Sequence, residues 1–259
     1  MQQIMSADGT TIAFDQLGSG PPIIVVAGAS CDRGADAAIA EALGRHFTVL
    51  NYDRRGRGDS TDTLPYAVSR EVDDLRAVLD AAGGSASVLG LSSGAVLAAE
   101  AAASGLAIDH LIMWEPPFST DPDGPRRAKE YADRLHDLLA AGRRDDALAH
   151  FMTLVGVPED VIAGMRESEH WRHGLSLAPT LAYDAAVMGD NTVPAQRFAR
   201  IGVPTLVLAG TQSPAFMREA ARHTAAAIPA ARTEILDGQD HNVAGVVIAP
   251  VVAAFAGRS

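Results

Sequence analysis

The sequence predicts an α/β fold: a mostly parallel central sheet flanked by helices, with a block of helices inserted between two strands. Three observations predict it. Short apolar runs alternate with helical patterns at both ends of the chain, and such alternation implies a parallel sheet covered by helices. Between about 118 and 198 the alternation stops and only helical patterns remain. The run Ile23-Ile24-Val25-Val26 is continuously apolar and β-branched, as a strand buried on both faces requires. The chain of 259 residues is 47% hydrophobic and 20% charged, which suits one folded domain with a sizeable core. The expected division is a core of 1–117 and 199–259 and a helical cap of 118–198.

The elements follow in order. Strands are expected at 10–14 and 22–27, separated by the turn Gly18-Ser19-Gly20-Pro21. A helix at 35–43 and a strand at 47–52 come next. A glycine-broken loop, 53–60, reads as structural. Val72, Leu75, Val78 and Leu79 have helical spacing, so 69–82 is a helix stopped by Gly83-Gly84. A strand at 87–90 leads into an alanine-rich helix at 95–103, whose small side chains allow close approach to a sheet. Another strand covers 111–114. The cap helices are expected at 126–141, 144–154, 159–167 and 175–188. Alternation resumes with a strand at 204–209, a helix at 216–227, a strand at 231–236, a loop through His241 and a helix near 249–256.

Charge and composition remove several function classes. The net charge is −11, and the short run Arg54-Arg55-Gly56-Arg57 is too weak a basic cluster for nucleic acid. One cysteine, Cys31, excludes an intrachain disulfide and reads as a packed free thiol. The first nine residues lack a basic-then-apolar pattern, and no apolar run approaches the ~18 residues of a membrane span. The expectation is a cytoplasmic, soluble protein, monomeric or homodimeric.

Gly90-Leu91-Ser92-Ser93-Gly94 fits G-x-S-x-G. The flanking glycines leave room for a sharp strand-to-helix turn that pushes a serine outward. The register selects Ser92 as nucleophile. The N–H of Ser93 then opens the helix and can donate to an oxyanion. A serine at ordinary pKa needs a base. Of the eight histidines only His241 follows the last expected strand. The second oxyanion donor is expected from Gly28-Ala29-Ser30, with the N–H of Ala29 preferred and Gly28 and Ser30 beside the substrate.

At this point the chain resembles the α/β-hydrolase superfamily. The resemblance rests on 25–30, on Asp-Arg-Arg-Gly-Arg-Gly-Asp-Ser at 53–60, on 90–94 and on Gly-Gln-Asp-His at 238–241. It departs at Ala27, where many members have histidine. It also departs in the acid. Members usually carry it after the strand read here at 204–209, but Gly210-Thr211-Gln212-Ser213-Pro214 holds no carboxylate. Glu115 instead ends the strand 111–114, at the sheet edge where such sites gather. The order Ser92, Glu115, His241 keeps the serine–acid–histidine order of this fold. Asp240 is held as a backup acid. This arrangement looks like that of the fungal zearalenone lactonases, whose acid is a glutamate at this strand end.

Together these residues imply a serine hydrolase cleaving a lipophilic ester or lactone through an acyl-enzyme, with no cofactor or metal. Trp114 and Trp171 are candidates for an apolar substrate pocket, with core packing the alternative. His170 and His173 stand at i and i+3 but lack a third metal ligand. Rival readings on the same fold are a perhydrolase, a C–C bond hydrolase and a non-catalytic binding protein.

Overall fold

The structure, a computed structural model, describes residues 1–257. Strands β1 (Gln2–Met5), β2 (Thr11–Gly18), β3 (Pro22–Val26), β4 (Thr48–Tyr52), β5 (Ala86–Leu91), β6 (Ile108–Trp114), β7 (Thr205–Gly210) and β8 (Ala231–Leu236) form one sheet. Their order is β1-β2-β4-β3-β5-β6-β7-β8. β1 and β2 pair antiparallel with each other, and β2 antiparallel with β4; every other pairing is parallel. β1 was not anticipated. Its residues are mostly exposed, so it carries no apolar period to read.

Burial follows from strand alternation. Ile24 and Val26 of β3 join the apolar core on one face, and Ile23 and Val25 join the core on the other. The first face is covered by α2 (Val68–Ala81), α3 (Ser93–Ala103) and α10 (Ala215–Ala226). The second is covered by α1 (Ala37–Leu43) and α11 (Gly245–Ala256). α11 starts earlier than expected and carries Pro250 inside it, where a proline normally signals a helix start. Asp36 precedes α1 without capping it, and its Oδ2 is buried with no hydrogen-bond partner among the described residues.

Between β6 and β7 the chain forms only helices: α4 (Gly124–Ala140), α5 (Arg144–Leu154), α6 (Glu159–Met165), α7 (Glu169–Leu177), α8 (Leu181–Met188) and α9 (Ala195–Phe198). The continuous helix expected at 175–188 is corrected. A 3₁₀ turn at Ala178–Thr180, containing Pro179, separates α7 from α8. The segment has its own apolar cluster, which includes Leu135, Leu148, Trp171 and Leu181. Among the described residues no helix is long and apolar enough to cross a membrane.

Candidate active site

The turn from β5 to α3 shows what its glycines are for. A Cβ on Gly90 would lie 2.5 Å from the Cα of Ala95, and one on Gly94 would lie 2.2 Å from the carbonyl oxygen of Val26. Both contacts are with backbone, so no side-chain rotation relieves them. Ser92 between them has φ 53° and ψ −123°, a region that non-glycine residues avoid. Its own N–H donates to Trp114 O at 2.9 Å, which ties the turn to the end of β6.

The loop after β3 lies against this turn. A Cβ on Gly28 would approach the Cβ of Ser92 to 3.1 Å. Ser30 has φ 55°, a second strained residue. Among the described residues the N–H groups of Ala29 and Ser93 make no hydrogen bond. An unengaged N–H in the first turn of a helix is expected; a second one from a neighbouring loop gives two donors beside one serine.

Glu115 follows β6 with φ 46°, so three of the four non-glycine residues with positive φ, the fourth being Asn191, belong to these loops. The backbone turn sends its side chain toward the ends of β7 and β8. Its Oε2 lies 2.7 Å from His241 Nδ1, and its Oε1 accepts the N–H of Gly210 at 2.8 Å. A Cβ on Gly210 would meet the carbonyl of Gln239 at 2.0 Å. Glycine there lets the histidine loop pass close to β7. Trp114 Nε1 donates to the carbonyl of His241 at 3.0 Å. Glu115 is fully buried, whereas the His241 side chain is 43% exposed. Burial alone would raise the Glu115 carboxyl, but the His241 ring and the Gly210 N–H hold it below the usual carboxylate value. Among the described residues the His241 ring bonds to Glu115 alone, which leaves Nε2 free to take a proton.

The backup acid is placed elsewhere. Asp240 accepts the N–H of Asn242 at 2.8 Å in a local turn. Trp171 is corrected from a pocket residue to a packing residue. It is 1% exposed inside the cluster of the helical segment, and its Nε1 donates to Asp145 at 2.7 Å. Trp114 is also in the core, 1% exposed. Cys31 is held protonated: burial foremost, then the charge of Asp36, pushes its thiol up to about 12. His173 faces Asp32 at 3.0 Å across the gap between α7 and the loop after β3.

Sequence reasoning missed a buried ionic cluster beside these loops. Arg54 is bidentate to Glu71, at 2.7 Å for both bonds, and also reaches Asp184 at 2.7 Å. Arg57 Nη2 reaches the other oxygen of Asp184 at 2.7 Å. Tyr66 donates to Glu71 at 2.8 Å and stacks on Tyr183. The one readable signal was in α2, where Glu71 and Asp74 stand on the same stripe as Val72, Leu75 and Val78. Acids on an apolar stripe need buried cations as partners.

Residues 23–254 match the model of the alpha/beta hydrolase family. An alpha/beta hydrolase from Sphaerobacter thermophilus is 52% identical and superposes with a TM-score of 0.89, covering 98% of this chain and 99% of that one. A thermophilic esterase from Thermogutta terrifontis has 22% identity and a TM-score of 0.71 over 98% of this chain and 96% of its own. An enol-lactonase from Burkholderia xenovorans has 23% identity and a TM-score of 0.71 over 98% and 99%. At that identity the last two speak for the fold.

Proposed function

This chain belongs to the alpha/beta hydrolase family, and from that premise we propose that it is a serine hydrolase of carboxylic esters or lactones. The observation that carries the proposal is the 2.7 Å bond between Glu115 and His241 at the sheet edge where Ser92 is held at positive φ. His241 Nε2 takes the proton of Ser92 Oγ as the oxygen attacks the carbonyl carbon. Glu115 holds the Nδ1–H tautomer and stabilises the imidazolium. The N–H groups of Ala29 and Ser93 bind the oxygen that gains charge. His241 then returns the proton to the leaving alcohol, and water attacks the acyl-enzyme with the same base. A lactone gives one product, a hydroxy acid, because its leaving group stays attached.

Residues 118–198 act as a cap in this reading, and Gly28 and Ser30 line the substrate site. The acid position supports the likeness to the zearalenone lactonases, and the substrate is a lipophilic small molecule. Fluorophosphonate labelling tests the proposal. The expected result is labelling at Ser92 and turnover of p-nitrophenyl butyrate, both abolished by Ser92→Ala and largely kept by Ser93→Ala. A protein that is folded but neither labelled nor active overturns it.

A further inference from the structure

The buried cluster holds the oxyanion loop from behind. Arg57 Nη1 donates to the carbonyl of Gly28 at 2.6 Å and to that of Cys31 at 3.2 Å. Arg54 Nη1 donates to the carbonyl of Ala27 at 3.3 Å. Three carbonyls of one five-residue stretch are thus bound by two guanidiniums that are themselves fully buried. Both guanidiniums are pinned by Asp184 of α8, on its two separate oxygens. Asp184 Oδ1 also accepts the hydroxyl of Ser93 at 2.8 Å, the residue that follows the nucleophile. Burial pushes the Asp184 carboxyl up, but Arg57 and Arg54 hold it below the usual carboxylate value, so it stays charged.

The Gly28–Ala29 bond is what gives this contact a consequence for chemistry. The peptide is trans, as the Leu64–Pro65 bond is the cis one among the described residues. In a planar trans peptide the C=O and the N–H point in opposite directions. A donor that fixes the Gly28 carbonyl therefore fixes the aim of the Ala29 N–H. A charged donor on the oxygen also polarises the amide and makes its N–H a stronger donor. We propose that Arg57, fixed by Asp184, is a positioning residue that aims and polarises the Ala29 N–H of the oxyanion hole, so that α8 of the helical segment sets the strength of catalysis in the core. The inference rests on the serine hydrolase reading.

Its test uses Arg57→Lys and Arg57→Gln, with the concentration of active sites set by fluorophosphonate titration. Lysine keeps a charge opposite Asp184 but lacks the rigid planar fork with which arginine places one nitrogen on Asp184 and the other on Gly28. With p-nitrophenyl butyrate, kcat should fall roughly 10- to 100-fold in Arg57→Gln and less in Arg57→Lys, with KM within a few-fold; complete loss of one oxyanion donor costs about 10²–10³. An alkyl trifluoromethyl ketone adds a second readout. Ser92 Oγ adds to its carbonyl carbon, the proton passes to His241, and the carbonyl oxygen becomes an oxyanion. Its inhibition constant should weaken by the same factor as kcat. A purely structural role would lower the melting temperature while leaving kcat per active site and this constant unchanged, and that result overturns the inference. If Arg57→Gln does not fold, Arg57→Lys decides by the same criteria. If the wild-type protein is neither labelled nor active, the serine hydrolase reading fails and the inference falls with it. A labelled, active wild type beside an indifferent Arg57→Lys removes this inference alone.

Discussion

Two buried carboxylates lie near the Ser92 turn, and they are built differently. Glu115 comes from the end of β6, and its partner is an imidazole on an exposed loop, 43% accessible. Asp184 comes from α8, and its partners are two guanidiniums with no accessible surface. The first pair is reached from solvent through the imidazole. The second is not, and its guanidiniums donate to the backbone carbonyls of Ala27, Gly28 and Cys31. A buried carboxylate thus meets an exposed ring in one place and buried guanidiniums that hold backbone in the other.

The contrast breaks if the two acids fail in the same way. Glu115→Gln should leave the protein folded and lower kcat by about 10³–10⁴, because the amide no longer selects the tautomer or stabilises the imidazolium. Asp240→Asn, which touches only a local turn, should change kcat little. Steady-state kinetics and circular dichroism on the purified variants check both. Asp184→Ala should show the reverse priority. Removing one partner of a buried ion pair costs about 3–5 kcal/mol; here Arg54 would keep Glu71, while Arg57 would lose the carboxylate it is paired with. Urea denaturation should show the loss directly; a stable Asp184→Ala would mean the cluster does not fix the loops.

A third carboxylate, Asp36, sharpens the comparison because it pairs with no cation among the described residues. Burial, then the nearby charge of Asp32, raises the Asp36 carboxyl from 3.8 to about 7. A raised folded value means that protonation favours the native state. Stability from this group is therefore full below about pH 4 and is lost as pH rises toward 7. Glu115 and Asp184, whose values are depressed, act in the opposite sense: their stabilisation is present above the ordinary carboxylate range and disappears on acidification. Asp36→Asn should thus stabilise the protein above pH 7, where folding otherwise buries a charge, and do little near pH 4, where the carboxyl is already neutral. Thermal unfolding across that range checks it, and equal effects at both ends would contradict the assignment.

What the sequence revealed follows the same division. The backbone strain at Ser92 and Glu115 left local marks in the sequence, glycines around one turn and prolines after a strand end, and His241, the histidine after the last strand, meets Glu115 in the structure. Seven of the eight strands were readable from apolar runs; β1 was not, since an exposed edge has no such run. The Arg54–Asp184 contact joins residues 130 apart in the chain, and nothing local at either end marks it. Trp171 was ambiguous for another reason. An apolar ring fits a pocket or a core equally well, and its one polar atom found Asp145 inside the helical segment.

The smallest expected effect concerns how the exposed half of the Glu115–His241 pair is kept in place. The histidine loop is tied to the loop after β7 by three bonds, from Gln212 N–H to the carbonyl of Gln239 at 2.9 Å, from Gly238 N–H to Thr211 Oγ1 at 2.8 Å and from the Thr211 hydroxyl to Asp237 Oδ1 at 3.1 Å. Among the described residues only the indole of Trp114 binds His241 itself through its backbone, at 3.0 Å. Trp114→Phe keeps an aromatic ring in the core but removes that donor. A neutral hydrogen bond contributes about 0.5–1.5 kcal/mol net, so a loss of roughly 2- to 10-fold in kcat is expected, together with some loss of stability from the smaller ring. The Glu115 bond to the ring should survive, because it arises from the other side of the residue. The discriminating measurement is the Trp114→Phe, Glu115→Gln double variant. If the indole acts by holding His241 against Glu115, its removal should cost little once Glu115 no longer orients the ring. A full additive loss in the double variant would show that Trp114 acts on something other than this pair.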